Sequence, residues 1–238
     1  MHIFSQTGGE MLARWGHYLA GVTWIGLLYY FNFVQTPSFA TFDAEHRTEA
    51  VRKLVPRALW WFRYGALLTV LTGLTILAFQ KNFTGDYFQS APGRSIATGI
   101  LMALIMFANV WGIIWPNQKI FIENAERTAA GQEALPNAAS AARKAACASR
   151  TNTLFSIPVL FFMGATAHFA GLFEAGEGGK RAIYWVIVLV LVIAIEAIAL
   201  SAPAAGAPQA WHIDNHRNTI IAGFVLTAIL LLLFEVLF

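Results

Sequence analysis

The chain has 238 residues, 57% of them hydrophobic and 12% charged, with a mean hydropathy of +0.56. A soluble domain carries about 25% charged residues, so this composition excludes an ordinary soluble enzyme and points to an integral membrane protein. The formal net charge of +3 is scattered through connecting segments, which argues against a nucleic-acid surface and makes the basic residues a topology signal.

Six apolar segments approach the roughly 20 residues that a spanning helix needs. They are residues 12–34, 59–80, 95–116, 152–173, 182–202 and 218–238. The expected fold class is therefore all-α: one transmembrane helical bundle over residues 1–238, without internal repeats.

The first segment is too long for a secretory h-region and its first arginine is Arg14, so it reads as a helix of the mature protein. It carries His17, with Gly16, Ala20 and Gly21 leaving a low surface beside it. Residues 38–58 mix charge with Val51, Leu54 and Val55, and predict a short amphipathic helix near the interface. The second segment opens on Trp60 and Trp61 and holds Arg63 near its inner end. The connection 81–94, with Gly85, Gly93 and Arg94, leads into the third segment, which carries Asn109. Residues 117–150 are Ala-rich and broken by Gly131 and Pro136, which predicts two helical extensions with a turn between them.

The fourth segment holds Asn152 and, near its far end, His168 flanked by Gly164 and Gly171. After the glycine-rich stretch 174–181, the fifth segment carries Glu196, where a carboxylate must be protonated, paired or facing a cavity. Arg63 is one candidate partner for it. The loop 202–211 leads to His212, Asp214, His216 and Arg217 at the start of the sixth segment. His212 and His216 are expected one turn apart on the same helix face, a spacing that suits a metal; a solvated helix start is the other reading. Aromatics near the segment ends, Trp15, Trp111, Trp115 and Trp211 among them, read as an interfacial belt.

Orientation follows from the basic residues. Arg47, Arg52, Lys53, Arg57, Lys119, Arg127, Arg143, Lys144, Arg150 and Arg217 lie on one side, against Arg14, Lys81, Arg94, Lys180 and Arg181 on the other. The richer side is expected in the cytoplasm, with both termini on the periplasmic side of a bacterial inner membrane crossed several times.

That topology puts His17 and His168 at matching depth, about 5–8 Å below the outer surface at 1.5 Å rise per residue. Two imidazoles at one depth on different helices suit axial ligation of a haem iron. They suit a single metal ion equally, and small residues with a bridging histidine also serve close helix packing. Arg14 and Arg94, on the same side, are candidates to pair with haem propionates. Cys147 is the sole cysteine, which excludes an internal disulfide and covalent c-type haem, so the cofactor expected is haem b.

Several motifs then carry a resemblance. They run from Arg14-Trp15, His17, Trp24-Ile25-Gly26 and Tyr29-Tyr30-Phe31-Asn32-Phe33 through Trp61-Phe62-Arg63, Leu71-Thr72-Gly73 and Asn109-Val110-Trp111. They continue with Ile114-Trp115-Pro116-Asn117-Gln118-Lys119, Ser149-Arg150-Thr151-Asn152-Thr153, Ser156-Ile157-Pro158, Met163 and His168. Across residues 11–172 the chain resembles the membrane domain of the bacterial membrane-bound urate hydroxylase (urate oxidase) family. The resemblance implies a multi-helix redox domain, followed in full-length members by a cytochrome c that takes the electrons as urate becomes 5-hydroxyisourate. It carries His17, His168, Asn152 and Pro158 over as matching positions. This chain, ending at Phe238 without a haem-attachment motif, is expected to lack that cytochrome.

The opening helix is also similar to those of membrane protoporphyrinogen oxidases and copper-resistance membrane proteins, although no intramembrane lysine supports the former. The function expected is a membrane redox protein, with an oxidoreductase of the urate hydroxylase type as the enzyme reading. The alternatives are a structural or assembly subunit of a larger membrane complex and a histidine-based metal-handling protein. The partners expected are membrane lipid, urate or a quinone, and a periplasmic cytochrome c or a larger redox complex.

Overall fold

A computed structural model describes residues 4–169, 178–201 and 211–238. The described residues form helices joined by short connections. In chain order the helices are α1 (Gln6–Tyr29), α2 (Thr36–Thr41), α3 (Ala44–Lys53), α4 (Val55–Phe79), α5 (Gly85–Gln89) and α6 (Ala91–Asn109). They continue with α7 (Trp115–Ala129), α8 (Ala138–His168), α9 (Gly178–Ser201), α10 (Trp211–Asp214) and α11 (His216–Leu237).

Local chemistry sets many of the boundaries. Ser5, Asp43, Thr84, Ser90 and Asn215 each stand in an extended or β conformation. Their side chains accept the backbone N–H three residues on, which satisfies an otherwise orphaned donor of α1, α3, α5, α6 and α11. Gly131, at φ +70°, turns the chain after α7, where a side chain would be strained. Residues 38–58 contain α3, and the Ala-rich stretch 117–150 supplies most of α7 and the first turns of α8.

Two π turns interrupt the first and third long helices. Tyr30–Gln35 joins α1 to α2, and Val110–Ile114 joins α6 to α7. The Thr36 N–H reaches back five residues to Phe31 and the Trp115 N–H to Val110, each one residue before a proline (Pro37 and Pro116). Proline has no N–H to give and its ring crowds the preceding turn, so a widened turn lets the helix pass through it.

Helix α8 is the centre of the bundle. It packs against α1, α6, α7, α9, α10, α11 and both π turns, while α1 lies chiefly along α4. The core holds Trp24, Leu28, Leu59, Phe62, Met102, Met106, Phe155, Phe162, Tyr184, Leu230 and Phe234, all essentially inaccessible. Close helix approach depends on Gly65 and Gly223. A Cβ on Gly65 would come within 3.1 Å of the Trp24 backbone nitrogen, and one on Gly223 within 2.9 Å of the Leu154 carbonyl oxygen.

Four helical stretches are long and apolar enough to cross a membrane: Val55–Phe79, Ala91–Ala129, Lys180–Ser201 and His216–Leu237. The other two expected segments, in α1 and α8, are helical but more polar. Helix α1 carries Glu10, Arg14 and His17, and α8 carries Arg150, Thr151, Asn152, Thr153 and Ser156. The uncharged group Thr151–Thr153 and Ser156 is wholly buried against neighbouring helices, where helix–helix contacts rather than lipid surround it.

Candidate functional site

His17 is half-buried on the face of α1 that meets α4. Its Nδ1 lies 2.9 Å from the Thr69 carbonyl oxygen and 3.1 Å from Thr72 Oγ1. Because a carbonyl only accepts, Nδ1 carries the hydrogen, and the neutral ring keeps its lone pair on Nε2. That is the tautomer of a histidine held ready to ligate through Nε2, with the other nitrogen fixed by a backbone carbonyl. Gly73 makes room for the ring, since a Cβ there would stand 3.2 Å from His17 Cε1.

His168 is the last residue of α8, and it is exposed. Its depth relative to His17 follows from one hydrogen bond. Tyr29 Oη and Ser156 Oγ are 2.8 Å apart and pin α1 to α8. His17 lies 12 residues before Tyr29 and His168 lies 12 residues after Ser156. Helices α1 and α8 run in opposite directions, so the backbone of each histidine lies about 18 Å along its own helix from the residue that makes that bond, in the same sense. Among the described residues no hydrogen bond or ring contact joins the two.

The neighbouring candidates separate by environment. A Cβ on Gly21 or on Gly164 would meet nothing within 4 Å, so both leave open space, whereas Gly16 backs onto Thr72 of α4. Gly171 lies outside the described residues. Arg14 is paired with Glu10 at 2.8 Å, and Glu10 also accepts from Gln80 at the end of α4. Arg94 is fully buried, donates to the Gln89 carbonyl at 3.0 Å and lies 4.0 Å from the centre of the Phe238 ring. Its guanidinium is thus committed to closing that end of the bundle.

A second constellation lies deeper, where α6, α8 and α9 meet. Asn152 Nδ2 donates to the Met106 carbonyl at 2.9 Å, which fixes the orientation of its amide. Its Oδ1 therefore accepts, and Asn109 Nδ2 donates to it at 2.9 Å. The same nitrogen donates to Glu196 Oε2 at 3.1 Å. Nearby on α8, Ser149 accepts from Asn32 at 2.8 Å, so polar side chains from α1, the first π turn and α6 converge on residues 149–156.

Arg63, the partner expected for Glu196, lies elsewhere. Its guanidinium carbon stands 3.4 Å from the centre of the Trp115 ring and 5.4 Å from that of Trp111. A planar cation gains more from an indole face than from reaching across two helices.

The pairing of His212 with His216 on one helix face is also corrected. Asn215 is extended, at φ −147° and ψ 164°, and caps α11, so the two histidines belong to different helices. Burial holds His212 below the usual imidazole range, partly opposed by Asp214. Its Nε2 is buried without a hydrogen-bond partner among the described residues. Among the described residues no three His, Cys, Asp or Glu side chains converge on a metal position.

The family model for the N-terminal part of urate oxidase matches residues 79–233, more than half of the chain. The chain belongs to the urate oxidase N-terminal family. No curated protein and no solved structure matches it. The family match includes Asn109, Asn152, His168 and Glu196, and it runs through α9 and into α11, beyond the motifs that carried the resemblance in the sequence. Those motifs in turn extend back through α1 and α4, where His17 lies. Sequence reasoning singled out Asn109 and Asn152 in their apolar segments, but not that they lead to Glu196. Polar residues at comparable depth in three apolar segments were the available signal.

Proposed function

We propose that this chain is the membrane domain of a urate-oxidising enzyme, with haem b held between His17 and His168. In this reading six helices cross a bacterial inner membrane, both termini are periplasmic, and the histidines lie in the outer leaflet. Hydroxylation of urate by water to 5-hydroxyisourate releases two electrons and two protons. The electrons leave to a periplasmic cytochrome c.

The observation that carries the reading is the His17 ring, its Nδ1–H on the Thr69 carbonyl and its Nε2 left as the ligating atom. The family match and the equal 12-residue offsets of His17 from Tyr29 and of His168 from Ser156 support it. Haem, when bound, supplies reversible one-electron transfer. The chain's own residues do the positioning: Thr69 and Thr72 orient His17, and Gly21 and Gly164 leave space beside the helices. Arg14, partly exposed at the same end, is the cation assigned to a propionate. Arg94, buried against Phe238, is given no such role.

The test is an optical spectrum of the detergent-purified protein, oxidised and then reduced with dithionite, beside urate consumption with added cytochrome c. A Soret band with sharp reduced α and β bands, lost in His17→Ala and in His168→Ala, is expected. Unchanged haem content in either folded variant removes that ligand. A haem protein that leaves urate untouched with every acceptor removes the substrate while keeping the cofactor.

A further inference from the structure

Glu196 is the one acidic side chain within the Lys180–Ser201 stretch of α9, five residues before its end. Among the described residues no lysine, arginine or histidine pairs with it, and its bonded neighbour is the neutral amide of Asn109. An ionised carboxylate without a counter-ion at this position is costly, and such residues mark a functional site by default.

The hydrogen bonds also fix which oxygen does what. The Met106 carbonyl only accepts, so Asn152 presents its NH₂ to it and its Oδ1 to Asn109. Asn109 then has its NH₂ directed at both Asn152 and Glu196, and Oε2 of Glu196 must accept. The carbonyl oxygen of a carboxylic acid is the better acceptor, so a proton on this carboxyl is favoured on Oε1, which has no hydrogen bond to the described residues. The geometry is that of a carboxylic acid with its carbonyl oxygen held by the protein and its hydroxyl free to exchange.

We propose that Glu196 is a proton-binding site inside the membrane, oriented by the Met106–Asn152–Asn109 chain. Of the charged or titratable groups on the elements packed around it, Arg94, Lys180, Arg181, Tyr184, His168 and Glu235 stand at the opposite ends of their helices, and Arg143 and Lys144 lie two turns or more before Asn152. On α8, Arg150 donates to the Ile213 and Asp214 carbonyls at 2.7 and 2.9 Å, and Cys147 is buried beside Ile213. On α11, His216 and Arg217 stand at the inner end and make no ion pair with Glu196. On α6, the side chain that reaches it is Asn109. The proposal does not depend on urate or haem and stands or falls separately.

The test is modification of the whole chain, in lipid or detergent, by dicyclohexylcarbodiimide, which adds to protonated carboxyls in apolar surroundings. Adducts are mapped by peptide mass spectrometry across a range of pH. A carboxyl titrating at about 4.3 is protonated in roughly one molecule in 500 at pH 7. The expected result is an adduct at Glu196 at pH 7, on the order of a hundredfold above exposed Glu45 and Glu133, declining at alkaline pH and absent from Glu196→Gln. In folded Asn109→Leu, loss of the donor should carry labelling to higher pH. Labelling of Glu196 at pH 7 no greater than that of Glu45 would overturn the proposal, and an unshifted profile in Asn109→Leu would overturn the role given to Asn109. If that variant does not fold, acid–base infrared difference spectra decide. A protonated-carboxyl band at neutral pH that is missing from Glu196→Gln supports the site, and identical spectra refute it.

Discussion

The coupling between Asn109 and Asn152 can be worked out in advance. Asn152→Ala removes two hydrogen bonds, each 2.9 Å long, and leaves an Asn109 hydrogen without its acceptor. Hydrogen bonds between membrane helices average about 0.6 kcal/mol and reach about 1.7, while a buried unpaired donor adds roughly 1–3 kcal/mol. Asn152→Ala should therefore destabilise the bundle by about 2–4 kcal/mol. Asn109→Ala removes the bond to Asn152 and the one to Glu196, with a similar cost. The bond the two residues share is counted in both single variants but is lost only once in the double variant. The donor orphaned by Asn152→Ala is also absent from the double variant, which should therefore be milder than the sum of the singles by about 2–5 kcal/mol. Equilibrium unfolding in mixed micelles with increasing dodecyl sulfate measures all four corners of the cycle. A coupling within about 0.3 kcal/mol of zero, with both singles folded, would show that the amides do not hold one another and would refute the orientation derived for Glu196.

Three further outcomes are expected. Gly223→Ala drives a Cβ to 2.9 Å from the Leu154 carbonyl and should cost about 1–3 kcal/mol by forcing α11 off α8; stability within error of the parent contradicts that close approach. Replacing Arg63 by Leu should lower stability by about 0.5–2 kcal/mol through loss of the stack on Trp115, and double substitution with Trp115 should reveal the coupling. Burial depresses His212 in the folded protein, so the unfolded chain binds a proton more readily. Stability is then full above the unfolded value of about 6.5 and falls as pH drops below it toward the folded value, a loss that should vanish in His212→Gln.

The helices were legible because apolar runs of spanning length leave little else to form. Two features hid the rest. A polar residue in an apolar segment announces a site but not its partner, since helix rotation decides that. Glu196 was matched with Arg63, the obvious opposite charge, whereas α6 turned a neutral amide toward it and Arg63 found the Trp115 face. The histidine pair at the start of α11 was read by spacing along one helix, which fails where Asn215 adopts an extended backbone to cap it. The extra polarity of α1 and α8 was visible in the sequence. Its explanation, the central position of α8 and the pairing of α1 with α4, lies in tertiary contacts that no single segment records.

The two π turns carry a consequence for how any sequence of this kind is aligned to its structure. Each wide turn takes up one residue more than an α turn, and one residue on a helix is about 100° of rotation. A hydrophobic face traced along residues 6–29 is therefore out of phase beyond residue 35, and one traced along 91–109 is out of phase beyond 114. A single-residue deletion inside Tyr30–Gln35 or Val110–Ile114 would preserve length, composition and helix content almost unchanged. It would let the wide turn close to an α turn with the side chains beyond it kept on their faces, whereas the same deletion elsewhere in the helix would swing them by more than a quarter of a turn. The two wide turns are thus the places where these helices can lose a residue and still present the same faces to the bundle.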